Sequence, residues 1–396
     1  MRIIHTSDWH IGKKLGGKPR IDEQREVLGE LCAAAREKQA DLVIVAGDIF
    51  DTFMPSADAE ELFFETMNDL ASSERAVIII GGNHDDWQRL SASSCIASKS
   101  NVYIFGGEKT PAPYRAEQIK ASEEDGKIPV YAESTGAFHC VIRRGEERLY
   151  VGVLPYPSQQ RFGEKKDDLS FDDKMKEWVD ACFAENVCGL DQILVSHIFM
   201  LGGEAGEGER DIELGGTRLV SPSVIPEKCL YTALGHLHKR QFIDKKRNIL
   251  YSGAIEQYSF DEAGVKKSIT YFEINDGKIS DLCEIELTKG KKLAKLTALS
   301  VGEGEALAAK YPDCLIQLTL CLSSPMTEEE TRRILGLKNI AELRLETKGS
   351  GDFETVADRR TLSDKQAFEE YYRSRYGEDV PEALLTVYLS LMQEEK

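Results

Sequence analysis

The stretch LVIVAGDIFD, residues 42–51, decides how the rest of the chain is read. Its apolar, largely β-branched half predicts a strand over 41–46 that is too uniformly hydrophobic to face water on either side, the pattern of a buried strand in a layered sheet. The run stops at Gly47 and Asp48, so a carboxylate stands where the strand ends. In open α/β sheets that is where ligands are met. Working outward, 2–6 and 76–80 read as strands of the same kind, with helical patterns at 21–38 and 56–71 between them. The first 110 residues therefore predict an α/β core whose chemistry lies in loops at strand ends.

Beyond this core, 117–126 reads as a polar loop, 138–143 with 148–153 as a hairpin, and 170–186 as a helix. Strand character at 193–197, 230–235, 249–252, 267–274 and 278–287 predicts a second sheet packed on the first. A glycine-rich, acidic stretch at 201–216 reads as a surface loop. Residues 288–295 turn basic and read as a linker. After it, strands at 314–322 and 340–346 and a helix at 327–337, opened by Thr327-x-x-Glu330, predict a small α+β domain. The expected division is 1–287, 288–364 and 365–396, the last part carrying Val380, Leu384, Val387 and Leu391 at helical spacing.

The 396 residues hold 50 Lys and Arg against 68 Asp and Glu, a net charge of −18 that divides as −12 over 1–280 and −6 over 281–396. Such a protein does not grip nucleic acid by bulk charge. Nine cysteines, odd in number and never spaced Cys-x-x-Cys, argue against a disulfide framework and a structural zinc. No apolar run approaches the roughly 18 residues of a membrane span. His5, Asp8 and His10 interrupt the N-terminus before a signal-peptide core could form, so no membrane partner and a cytoplasmic location are expected.

The histidines carry the functional signal. Five of the seven lie at or just past the end of an apolar run, in the company of Asp8, Asp48, Asp51 and Asn83. Asp8 and His10 are two apart, as are His236 and His238, a spacing that turns side chains the same way on extended chain. Glycine before Asp48, Asn83 and His236 allows a sharp turn out of the sheet. Two carboxylates (Asp8, Asp48), the Asn83 amide and the imidazoles of His10, His197, His236 and His238, with no thiolate, suffice for two divalent metal ions with open positions for water and substrate. His5, inside the first strand, reads as core, and His139 as structural. Trp9 and Phe53 read either as packing or as lining of the cleft.

The order Asp-x-His, Gly-Asp-x-x-Asp, Gly-Asn-His-Asp, His, Gly-His-x-His is carried by HTSDWHIGK (5–13), AGDIFDTFMPS (46–56), GNHDDWQRL (82–90), the lone His197 and ALGHLHKRQ (233–241). With YSGAIEQYSFDE (251–262), it resembles the calcineurin-like metallophosphoesterases, and among them a branch of DNA nucleases that work with a coiled-coil ATPase. The resemblance implies a sandwich of two mixed sheets flanked by helices, with a small C-terminal α+β capping domain. It implies one metal on Asp8, His10, Asp48 and His238, and a second on Asn83, His197 and His236, bridged by Asp48; manganese is the expected ion. His84 would act on the leaving oxygen; apart from the resemblance, this chain's own residues offer the Asp51 carboxylate to hold its imidazole. Implied partners are DNA, the ATPase (docked by helices in 365–396) and a second copy of the chain through helices near 56–71 and 86–97. The stripe Trp87, Leu90 and Ile96 with Leu62, Phe63 and Met67 reads equally as such a face or as burial within one chain.

The expected reaction is hydrolysis of DNA phosphodiesters, at double-stranded ends and in single-stranded or hairpin DNA. Thr52 and Phe53 after Asp51, and Asp85 after His84, depart from the pattern of protein phosphatases in the same superfamily. A small-molecule phosphodiesterase or nucleotidase would need little beyond the core, whereas about 110 residues follow it. A non-catalytic scaffold subunit would be expected to lose ligands, and every ligand position is filled.

Overall fold

The computed structural model describes residues 1–106, 110–114, 119–120, 123, 126–157, 170–206, 219–347, 380–381 and 385. The chain divides into two compact units, Met1–Cys321 with Met326–Glu346, and Leu322–Pro325 with Thr347–Lys396. The helices expected over 365–396, and much of the loop expected over 201–216, fall outside the described residues.

In the first unit Arg2–Thr6, Leu42–Ala46 and Ala76–Ile80 are parallel strands in register. Both faces of Leu42–Ala46 are covered, which is why it tolerates no polar residue. Val43 and Val45 pack under helices Ile21–Glu37 and Ala57–Leu70, while Leu42, Ile44 and Ala46 meet Val151, Val153, Ile193 and Val195 of the second sheet. The first sheet runs Lys278–Leu287, Lys267–Asn275, Arg2–Thr6, Leu42–Ala46, Ala76–Ile80, Val102–Phe105. The second runs Gln241–Asp244, Ile249–Tyr251, Cys229–Gly235, Gln192–His197, Glu147–Leu154, His139–Arg144, Val130–Thr135. Helix Phe171–Phe183 covers its far face with Met175, Val179 and Cys182.

Two expectations are corrected. Strands 267–274 and 278–287 return to the first sheet, the former antiparallel to Arg2–Thr6 and the latter antiparallel to the former at the edge, because strand character alone does not say which sheet edge is open. The linker shortens to 288–291: Lys292–Ala298 is a strand, its lysines exposed and its Leu293 buried. It leads a three-stranded sheet with Cys314–Leu322 and Ile340–Thr347, beside helices Val301–Lys310 and Glu328–Leu335. The second of these opens with the expected capping box of Thr327 and Glu330.

Leu62, Phe63, Met67 and Leu90 are buried within the chain, so the stripe read as a possible dimer face is mostly core; Phe53, Met54, Phe64 and Ile96 are exposed instead. Trp9 is fully buried, its indole N–H donating to Thr6 Oγ1 at 2.9 Å. His5 is buried between the sheets with Nδ1 2.9 Å from the Tyr231 hydroxyl, and His139 stacks on Tyr150. All nine cysteines are free thiols. No helix among the described residues is long and apolar enough to cross a membrane.

Candidate metal centre

The carboxyl ends of Arg2–Thr6, Leu42–Ala46 and Ala76–Ile80 in one sheet, and of Gln192–His197 and Cys229–Gly235 in the other, open onto the same place and carry every residue of the expected ligand set. The local geometry differs from the expected extended spacing. Asp8 and His10 lie past the strand with φ of 53° and 42°, Asp48 has φ 50° and His236 φ 114°. Left-handed backbone at a residue with a side chain costs about 1–3 kcal/mol and persists only where surroundings enforce it. Here the enforcement is main-chain pairing: Asp8 N–H donates to the Gly47 carbonyl at 3.0 Å, His10 N–H to Asp48 at 3.0 Å and Ile11 N–H to Ile49 at 2.9 Å. The glycines also serve a purpose other than the expected turn. Only Gly47 of the three has positive φ; a Cβ on Gly82 would come 2.1 Å from Asp48 Oδ1, and one on Gly235 1.9 Å from the Ala46 carbonyl oxygen. They let the ligand loops touch.

Three clusters of donors result, two of them made only of expected ligands and the third of His10, Asp48 and His84. Asp8, His10 and His238 offer atoms within 4.8 Å of one another, as do Asp8, Asp48 and His197. Asn83 Oδ1 lies 3.0 Å from both His197 Nε2 and His236 Nδ1, so the amide joins the second group. Asp48 Oδ2 stands between the groups, 3.6 Å from His10 Nε2 and 3.4 Å from His197 Nε2.

The hydrogen bonds around the rings test whether a cation fits. His197 Nδ1 is 2.7 Å from the Ala46 carbonyl, which can only accept, so Nε2 presents its lone pair to Asn83 Oδ1 and Asp48 Oδ2. His238 Nδ1 is 3.0 Å from a Glu262 carboxylate oxygen, which leaves its Nε2 turned toward His10 Nε2 at 3.1 Å. Lone pairs therefore converge, an arrangement that a metal ion satisfies. Without one, protons answer the same field. Burial opposes charge on His197, but the Asp48 and Asp8 carboxylates outweigh it and push the imidazole up to about 9. Burial lifts Asp8 to about 6, whereas the surrounding imidazoles, His197 first, overcome burial and hold Asp48 well below the usual carboxylate range. Burial drives His10 and His236 down to about 3.

His84 borders this centre, its ring edge-on to His10 at 4.8 Å and its main-chain N–H donating to Asp48 Oδ1 at 2.9 Å. The expected hold by the Asp51 carboxylate is corrected. His84 Nδ1 meets the Asp51 main-chain carbonyl at 2.9 Å, while the carboxylate turns to Lys13 Nζ at 2.8 Å and His10 Nδ1 at 3.5 Å. Asp51 and His84, 33 positions apart, do meet, but the oxygen that faces the ring is the main-chain one.

Two supporting residues escaped the reading of the sequence. Asp85, buried, accepts from the N–H groups of Ile49, Phe50 and Gly82 at 3.1, 3.0 and 2.9 Å and so ties the Asp48 and Asn83 loops together. Glu262 supports His238; it sits inside YSGAIEQYSFDE, where the motif marks a segment without assigning roles. A cleft of about 450 Å³ leads to the centre past His10, Lys13, His84, His238, Lys239, Tyr258, Asp261 and Lys267. Its lysines are paired with acids: Lys13 with Asp51, Lys239 with Glu204, Lys267 with Glu262.

Residues 1–197 match the family described as calcineurin-like phosphoesterase. The chain is 32% identical over 410 aligned positions, 99% of this chain and 97% of the other, to SbcD, the subunit of the nuclease SbcCD from Bacillus subtilis (strain 168). Among solved structures it is similar to a hypothetical protein from Thermus thermophilus, 11% identical over 73% of this chain and 100% of that one, with a TM-score of 0.39. A dimetal phosphatase from Danio rerio is 12% identical over 73% of this chain and 98% of that one, with a TM-score of 0.40.

Proposed function

The chain belongs to the SbcD family of nuclease subunits, within the calcineurin-like phosphoesterases, and from that membership and the geometry above we propose that it hydrolyses DNA phosphodiesters with two divalent metal ions. The observation that carries the two-ion reading is the position of Asp48 Oδ2 between the imidazoles of His10 and His197. Asp8, His10, Asp48 and His238 would hold one ion, and Asp48, Asn83, His197 and His236 the other, with manganese the ion proposed. When bound, a pair of dications supplies a Lewis acid for the phosphoryl oxygens and activates the attacking water.

The chain's own groups do the rest. Because His84 Nδ1–H donates to the Asp51 carbonyl, Nε2 is the nitrogen left to face substrate, and with the ring as imidazolium its proton would go to the leaving oxygen, a contribution of about 10²–10⁴-fold when general acid catalysis is well placed. Asp51 is a positioning group, through its carbonyl for His84 and its carboxylate for His10 and Lys13. The cleft lysines, each already answered by an acid, draw DNA only weakly, in keeping with the net charge of −18. Much of the grip is therefore assigned to partners: a coiled-coil ATPase of the SbcC type, met by 365–396, and a second copy of the chain through the surface bearing the exposed Phe53 and Phe64. The sheet after residue 287 would cap the DNA, acting on duplex ends and on single-stranded or hairpin DNA in a cytoplasmic setting.

Cleavage of linear and hairpin DNA with manganese, comparing the unaltered protein with His84→Ser, alone and with the ATPase, tests this. Cleavage that falls at least about 100-fold in His84→Ser with manganese binding retained is the expected result. Turnover of a cyclic nucleotide or small diester without DNA cleavage would overturn it.

A further inference from the structure

Glu262 lies on a short helical turn, Phe260–Glu262, which the three-stranded sheet uses as its seat. Phe260 is buried in a cluster with Leu293 and Leu315 of that sheet and with Leu15, which follows His10 by five residues. Lys295 of the sheet pairs with Asp261, and Leu293 N–H donates to Gln257 Oε1 at 2.8 Å. On its other side the same turn reaches the metal centre. Glu262 takes His238 Nδ1 at 3.0 Å and Lys267 Nζ at 2.7 Å, and Lys267 Nζ also donates to the His238 carbonyl at 2.9 Å. Glu262 and Lys267 thus hold His238 by ring and by main chain. Both are largely buried, with 14% and 7% of their side chains exposed.

We propose that Glu262 is a positioning residue for His238, and that the packing of the three-stranded sheet on Phe260 sets where Glu262 stands, so that seating of that sheet and metal affinity at His10 and His238 are coupled. A carboxylate on Nδ1 fixes the tautomer that presents the Nε2 lone pair to a metal and stops the ring from turning away. Loss of such a partner costs about 10–100-fold in metal affinity. A capping sheet that shifts on the core would move the Phe260–Glu262 turn and release the ring, whereas Asn83, His197 and His236 have no link of this kind to it among the described residues. The proposal rests on the two-ion reading above.

Isothermal titration of the full chain with Mn²⁺ alone, with electron paramagnetic resonance to tell a coupled ion pair from isolated ions, separates the two. Expected are two ions in the unaltered protein, one of them weakened about 10–100-fold in Glu262→Ala. Glu262→Gln, whose amide oxygen still accepts from Nδ1, should bind nearly as the unaltered protein does. Leu315→Ala, on the sheet and away from the metal, should weaken the same ion several-fold. Equal loss at both ions, or Gln as damaging as Ala, would make Glu262 merely structural and overturn the proposal, as would unchanged binding in Glu262→Ala. Unchanged binding in Leu315→Ala, even with the sheet loosened, would overturn the coupling. Failure of the unaltered protein to bind two ions would overturn the two-ion reading itself.

Discussion

In the loops that follow Arg2–Thr6, Leu42–Ala46, Ala76–Ile80 and Cys229–Gly235, four residues bearing side chains (Asp8, His10, Asp48 and His236) stand at positive φ, and the carboxylates of Asp8, Asp48 and Asp85 are buried. Across the described residues from Lys292 to Thr347 no backbone has positive φ, charged side chains are exposed or half-buried, and helices begin at Ser300 and Thr327 caps. The two regions belong to one chain and obey opposite local rules. Positive φ and buried carboxylates coincide in the first region, where bound cations would answer both, and neither is found in the second. The difference is what the proposed metal centre would require.

The contrast is tested hardest at Asp48. Asp48→Asn keeps the shape and removes the negative charge between the two groups, so manganese binding should fall by more than the roughly 10–100-fold typical of outer-shell losses, and DNA cleavage with it. Retention of two tightly bound ions in Asp48→Asn would break the assignment of this region as the centre.

Proton linkage comes next in size. His197, raised to about 9 from an ordinary 6.5, contributes stability to the metal-free protein that is fully present below pH 6.5 and is lost as pH rises through 9. A metal needs the ring deprotonated, so binding should tighten over the same range, by about tenfold per pH unit for the one proton released. Calorimetry in buffers of different ionisation heat counts that proton. A flat profile from pH 7 to 9 would show that His197 does not hold it. No comparable dependence should arise from the three-stranded sheet.

A smaller effect is expected at Asp85. Asp85→Ala leaves three buried N–H groups without an acceptor, at a cost of about 1–3 kcal/mol for an unsatisfied buried donor, measurable by urea unfolding of the metal-free protein. A stability equal to that of the unaltered chain would mean the two loops hold without their tie.

Much of this was legible in the residues, for physical reasons that differ by region. LVIVAGDIFD was readable because burial on two faces admits only apolar residues, and the ligands because metal chemistry admits few side-chain types. The direction of the Asp51 carboxylate was not, since it depends on Lys13 and His10 arriving from another loop. Glu262 was not, because 24 positions and two strands separate it from His238 while the fold brings them to 3.0 Å. The strand Lys292–Ala298 was hidden by its lysines, and helix Val301–Lys310 by Gly302 and Gly304, the latter needed where the helix backbone approaches Leu318 and Leu320.

The smallest expected effect sharpens the contrast from the other side. Beside the three-stranded sheet the helix caps are local features, and the Thr327 capping box is the plainest: its side chain accepts from Glu330 N–H while Glu330 answers the Thr327 N–H at 2.9 Å. Thr327→Ala should therefore cost about 1 kcal/mol, read as a lower midpoint in urea. Helix Glu328–Leu335 buries only Ile334, and the sheet meets Phe260 through Leu293 and Leu315, which lie on strands and not on this helix. Manganese affinity should then stay at the level of the unaltered protein in Thr327→Ala, although it falls in Leu315→Ala. If both substitutions weakened the same ion, general loosening of the sheet would account for the effect, and the path through Phe260 and Glu262 would lose its special place.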